Sequence, residues 1–174
     1  MNERTDGRDP AGDGKGMEDR RDGAPTPVHR LAVLVAEGTD APALTRLLAA
    51  MGRHDVETTL VAPNGDRMSL SDGRWCQPDT TLSDGSRIRC DAIAMILSAS
   101  SADRLAADPH ARRFVLDAWH AGQAIAHDIG AALLLDACGI RGDEFVISVE
   151  HVADLLVYLP RRFIARTPIV SGPA

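Results

Sequence analysis

The pattern of apolar and polar positions changes character at Leu31. From there LAVLVA (Leu31–Ala36) is an unbroken apolar run, the mark of a strand covered on both faces of a parallel sheet. EGTD follows as a turn. Leu44, Leu47 and Leu48 then fall at helical spacing within Ala41–Met51, and Gly52 stands where that helix is expected to stop. Val56–Ala62 is rich in β-branched residues and closes at Pro63-Asn64-Gly65, a turn signal. Strand, helix and strand make one βαβ unit, whose crossover is right-handed.

The next stretch has a different texture. Met68–Leu70 and Trp75–Gln77 flank Ser71-Asp72-Gly73 and predict a two-stranded excursion turning at Asp-Gly. Pro78–Leu82 leads away from it. Regular alternation then resumes with an apolar strand at Asp91–Leu97 and helices at Ala102–Ala107 and Pro109–Ala121. A short core strand at Gln123–His127 precedes a helix at Gly130–Cys138 ended by Gly139. Phe145–Val149 is β-like, and Val152–Phe163 carries Leu155, Leu156 and Leu159 at helical spacing up to an interruption at Pro160. Strands alternating with helices of this length predict an α/β protein: a three-layer α/β/α sandwich with a mainly parallel sheet and a small β-hairpin excursion.

Composition divides the chain. Residues 1–30 hold seven acidic and six basic side chains and five glycines, with almost nothing bulky and apolar. Such a segment buries too little surface to offset its ordering entropy. The expected organisation is a disordered tail over 1–29, one domain over 30–168 and a short C-terminal tail over 169–174. No apolar run approaches the roughly 18–20 residues that cross a bilayer, and the first thirty residues lack the apolar centre of a secretory signal. A net charge of −6 argues against nucleic acid as a partner. Cys76, Cys90 and Cys138 have neither disulfide-framework nor zinc-ligand spacing. The resulting expectation is a cytoplasmic protein with no cofactor, no metal, no membrane contact and no nucleic-acid partner.

The order of segments is similar to that of the PfpI/ThiJ superfamily, the flavodoxin-like group related to class I glutamine amidotransferases. Within it, the chain resembles the C-terminal domain of large-subunit catalases. The resemblance runs from about Arg30 to Arg166. It is carried by VLVAEGTD (Val33–Asp40), VAPNG (Val61–Gly65), SDG…PDTTL (Ser71–Leu82), DAIAMIL (Asp91–Leu97), Phe114–Ile140 and VADLLVYLPRRF (Val152–Phe163). Active members of that superfamily hold a nucleophilic cysteine at a strand-to-helix turn. The resemblance places that position on Asp128, with Gly130 as the turn's glycine and Asp40 as the activating acid. The oxyanion diglycine falls on Ile96-Leu97-Ser98, where bulky Leu97 is expected to hinder close backbone approach. A carboxylate cannot replace a thiolate as nucleophile, so the resemblance implies lost turnover. It implies instead a role in assembly, stabilisation or chaperone-like interaction, as a homo-oligomer such as a dimer or with a catalase or other protein partner. No haem-binding segment accompanies these motifs, so peroxide chemistry is not implied.

Two readings of the residues stay open beside this. His127, Asp128 and Asp40 can form a proton-transfer group at the carboxyl edge of the sheet, giving a rebuilt hydrolase or lyase of glyoxalase or amidase type. Asp128 and Asp40 can equally be helix caps. The candidate pocket consists of Glu37, Asp40, Ser98, Asp128, Ile129 and Gly130. Ser100 or Ser101 is expected to cap the following helix. Cys76, beside Trp75 in the hairpin, is expected to be partly exposed, and Cys90 and Cys138 to be core fillers. Arg161, Arg162 and Arg166 read as a solvated helix end.

Overall fold

A computed structural model describes residues 29–85 and 88–159 of the 174-residue chain. The expected N-terminal tail, the break at Pro160, the basic cluster Arg161, Arg162 and Arg166, and the C-terminal tail lie outside the described residues, apart from His29.

Six strands form one parallel sheet: β1 (Arg30–Val35), β2 (Glu57–Ala62), β5 (Thr80–Thr81), β6 (Ala92–Ile96), β7 (Ala124–His127) and β8 (Val146–Ser148). Their spatial order is β5-β2-β1-β6-β7-β8, with all neighbours parallel. The strand order reverses at β1, so the crevice between the carboxyl ends of β1 and β6 is where such a sheet binds ligands. A separate antiparallel ribbon pairs β3 (Met68–Ser69) with β4 (Trp75–Cys76). Gly73 takes the φ of +82° that its turn requires.

Among the described residues six helices complete the layers: α1 (Ala41–Arg53), α2 (Leu82–Gly85), α3 (Ala99–Ala106), α4 (Pro109–His120), α5 (Ala132–Ala137) and α6 (Val152–Tyr158), the last preceded by a 3-10 turn at Val149–His151. Period-two alternation along the strands assigns the two faces. Leu31, Val33 and Val35 pack with Leu44, Leu47 and Met51 of α1 and Leu155 of α6. Ala32 and Leu34 turn the other way, with Ile93, Met95 and Ile125, onto Ala102, Leu105, Phe114, Val115 and Leu134 of α3–α5. Ala92, Ala94, Ala124 and Ala126 all face the α1/α6 side. These small side chains let that layer lie close to the sheet.

Three local departures from the sequence expectation have physical reasons. α1 continues through Gly52 to Arg53, and Asp55, at φ +54°, follows it in the left-handed region. Gly52 is therefore the last residue but one of the helix, following buried Ala50 and Met51. α3 starts three residues earlier than expected because Ser98, rather than Ser100 or Ser101, is its cap and accepts from Ser101 N at 3.3 Å. Strand β5 is too short to register as a pattern. It is fastened through Asp79, whose carboxylate accepts from Leu60 N at 2.7 Å while its own N–H donates to Leu60 O.

Candidate functional site

The turn after β1 organises the carboxyl edge. Thr39 is fully buried there. Its hydroxyl donates to Ile96 O at 2.7 Å and accepts from Ala36 N at 3.0 Å, tying the ends of β1 and β6 together. Gly38, at φ +77°, makes the reversal. Asp40 then caps α1 by accepting from Ala43 N, and Pro42 occupies the first turn. The β3–β4 ribbon is pinned onto this turn. Gly38 N donates to Ser69 O, Ser71 N donates to Thr39 O, and Ala41 N donates to Ser71 Oγ.

A cleft of about 710 Å³ opens beside it, between the ends of β1, β6, β7 and β8. Asp40, Ser98, Asp128, Ile129 and Gly130 all line it, as does His127. Glu37 does not. It lines a neighbouring cleft, because the reversal at Gly38 sends its carboxylate to Ser69 N at 3.0 Å. Its carbonyl is taken by Ser98 Oγ and Ser101 Oγ, at 3.0 and 2.6 Å.

Asp128 decides what the cleft can do. One carboxylate oxygen accepts from Leu97 N at 3.0 Å and the other from Ala131 N at 2.8 Å. The first bond joins the β7 turn to the end of β6; the second caps the turn that enters α5. Burial pushes the Asp128 carboxyl above its ordinary value. The two amides and His127 pull it back, and the nearby charge of Asp40 pushes it further up. Nothing thrusts the side chain outward on a strained elbow, since Asp55 is the non-glycine residue with positive φ among the described residues. His127 Nδ1 lies 2.8 Å from Asp128 O. A carbonyl only accepts, so Nδ1 carries a proton in this contact.

The diglycine position behaves differently from the sequence expectation. Leu97 does not keep the backbones apart, because its side chain turns into the α3–α5 core and is 2% exposed. Gly130 rests directly against the Leu97 carbonyl, where any Cβ would overlap the oxygen. The Leu97 N–H, a natural donor for a developing oxyanion, is already committed to Asp128. Ile129 is 94% exposed at the rim and leaves the cleft open.

The cysteines lie elsewhere. Burial pushes Cys90 up to about 11, and also raises Cys76 and Cys138. Cys76 is buried, contrary to expectation, because the ribbon turns Trp75 outward instead, at 64% exposure. Among the described residues no group of three His, Cys, Asp or Glu side chains is arranged to hold a metal ion. Among them, too, no helix is long and apolar enough to cross a membrane.

Sequence reasoning missed Thr39, Arg46, Ser148 and Glu150; the last three line the cleft. Thr39 had one usable signal, a hydroxyl residue in the tight link between a buried strand and a capped helix. The others sit on segments whose pattern marks them only as polar.

No protein-family model matches the chain. In sequence it is 29% identical over 133 residues to Catalase C of Rhizobium meliloti (strain 1021), and 29% identical over 91 residues to Catalase HPII of Pseudomonas putida. These matches cover 75% and 52% of this chain but only 19% and 13% of the catalases, so the chain spans less than a fifth of either. In structure it is similar to a DJ-1 superfamily protein from Salmonella typhimurium, with a TM-score of 0.66 and 21% identity over 77% of this chain and 90% of that one. It is also similar to DJ-1 of Toxoplasma gondii, with a TM-score of 0.59 and 18% identity over 64% and 62%. A ThiJ/PfpI family protein from Pseudomonas syringae gives 0.57 and 20% over 65% and 47%. The chain thus has the flavodoxin-like fold of the DJ-1/ThiJ/PfpI proteins, and its sequence resembles a limited part of two catalases.

Proposed function

We infer that this protein is a non-catalytic PfpI-like domain that acts by association, in assembly, stabilisation or chaperone-like contact, as the C-terminal domain of large-subunit catalases is expected to do. One observation carries the reading: both carboxylate oxygens of Asp128 are bonded to main-chain amides, Leu97 N and Ala131 N. The residue at the nucleophile position is a structural acceptor, and the N–H that would meet an oxyanion already has its partner. Support for the catalase-like role comes from the sequence similarity to part of Catalase C. Apolar side chains free to meet a partner stand at Ile129, Leu133 and Val157. A second copy of the chain or a catalase in the cytoplasm is the corresponding partner, and the domain is taken as 30–168 between two tails.

The test is turnover of methylglyoxal and an activated ester by the full chain and by Asp128→Asn. The reading expects equal, background rates for both, and sedimentation that reveals self-association or binding to a large-subunit catalase. A rate well above background that collapses in Asp128→Asn overturns it. That outcome would favour the second reading, a hydrolase or lyase using Asp128, His127 and Asp40. The observation in its favour is that His127 and Asp40 line the same open cleft as Asp128.

A further inference from the structure

The cleft that takes Glu37 is a separate cavity of about 450 Å³, at the carboxyl ends of β1 and β2 and against α3 and the start of α4. Two arginines line it from different elements: Arg67 from the loop before β3, and Arg104 from α3. Both side chains are exposed, and each makes a contact that is not an ion pair. Arg67 lies over the ring of Trp75, 5.5 Å from its centroid. Arg104 Nη2 donates to Ser101 Oγ at 3.1 Å, and Ser101 is itself buried and bonded to Glu37 O. Among the described residues neither guanidinium is paired with a carboxylate.

Three carboxylates share the cavity, and two of them are occupied. Glu37 accepts from Ser69 N, and Asp108 accepts from His110 N as the cap of α4. Both are turned onto main-chain donors. Asp66 has no such bond among the described residues; all three carboxylates keep their charge and oppose an anion, Asp66 with the least hydrogen-bond compensation. Guanidinium groups on two walls of a cavity, unpaired with its carboxylates, suit an oxyanion, which such forks bind through paired N–H donors. The volume is within the range of small-molecule sites.

We propose that this second cleft binds a small molecule carrying an oxyanion head, a carboxylate or a phosphate, between Arg67 and Arg104. The site shares no chemistry with Asp128 and stands whether or not the proposed function holds. The chain has two tryptophans, and Trp119 is buried, so exposed Trp75 reports on the arginine stacked over it. Tryptophan emission of the full chain is followed while inorganic phosphate and, separately, malonate are titrated, with sodium chloride at matched ionic strength as control. The expected result is a saturable change with at least one of the two oxyanions and none with chloride. A response to phosphate alone assigns a tetrahedral head, and one to malonate alone a planar head. Arg104→Gln is expected to weaken the response by about tenfold or more. Asp66→Asn is expected to tighten it roughly two- to fivefold, a gain that mere structural damage does not produce. The proposal is overturned if both oxyanions behave like chloride, or if the Asp66→Asn chain binds no tighter and Arg104→Gln, folded by its far-ultraviolet dichroism, binds no weaker.

Discussion

Replacing Asp128 by alanine removes the acceptor of two main-chain amides at once. In the folded protein Leu97 N and Ala131 N donate to its two oxygens at 3.0 and 2.8 Å. A hydrogen bond to a charged acceptor contributes about 1.5–3 kcal/mol, and losing a helix-cap side chain to alanine costs about 0.5–2 kcal/mol. Two effects reduce the loss: water can reach the vacated amides through the open cleft, and the burial cost of the carboxylate disappears. The expected destabilisation is about 1–2 kcal/mol at neutral pH, or about 3–8 °C in Tm for a domain of this size. The vacated space is lined by two N–H donors and fits a one-carbon carboxylate. Formate at ten times its Kd would restore about 1.4 kcal/mol to Asp128→Ala, while wild type, whose amides are taken, gains nothing specific. Thermal melts of both chains in formate and in chloride of equal ionic strength measure this directly. Equal stability of the two chains with no formate rescue would refute the reasoning, because Asp128 would then be free of the amides. The sign of the pH effect is also set. Burial raises the folded-state value above 3.8, so the folded protein holds this proton more tightly than the unfolded chain. The stability that Asp128 contributes is then largest below 3.8 and declines as pH rises through the folded value. The gap between wild type and Asp128→Ala narrows over that window.

Other substitutions test the frame around the site. Gly130→Ala drives a Cβ into the Leu97 carbonyl, and urea denaturation is expected to register a loss of about 1–3 kcal/mol or more as the loop is displaced. Thr39→Val strands Ala36 N and Ile96 O in a fully buried position and should cost about 2–4 kcal/mol, whereas Thr39→Ser keeps the hydroxyl and most of the stability. Gly52→Ala adds a methyl in open space within α1 and should stabilise by about 0.5–1 kcal/mol in the same assay. The buried thiols Cys76 and Cys138, both raised by burial, should react with a disulfide reagent at pH 8 only as fast as the protein opens. Prompt reaction of either in the folded chain contradicts the burial described for it.

Much of the sheet was readable from pattern alone, because a parallel strand covered on both faces leaves an apolar run, as in Leu31–Ala36 and Asp91–Leu97. Turn chemistry located the ribbon at Asp72-Gly73 and the cap at Asp40. What pattern misread was settled by contacts between distant segments. Gly52 stays helical, the last residue but one of α1, following buried Ala50 and Met51. Ser98 is the cap because its backbone is extended after β6 and its hydroxyl meets Ser101 N, while the Ser101 hydroxyl is spent on Glu37 O. The edge strand β5, two residues long, is held by the bonds that the preceding Asp79 makes with Leu60 of β2. Leu97 looked obstructive by size, yet its direction is into the core, and the close approach at that point is made by Gly130. The site was legible as a set of residues, with Asp40, His127 and Asp128 gathered at one cleft. Their bonding was not, since which amides a carboxylate accepts from depends on loops that meet only in the fold.

The account rests on the carboxylate of Asp128 being held by Leu97 N and Ala131 N. An NMR titration from pH 3 to pH 8, following the Asp128 side-chain carbon and these two amide protons together, tests it most directly. The account predicts that all three titrate with one midpoint, above 3.8, and that both amides move downfield as the carboxylate ionises. Amides of Leu97 and Ala131 that ignore the ionisation of Asp128 would contradict it and leave that carboxylate available for chemistry.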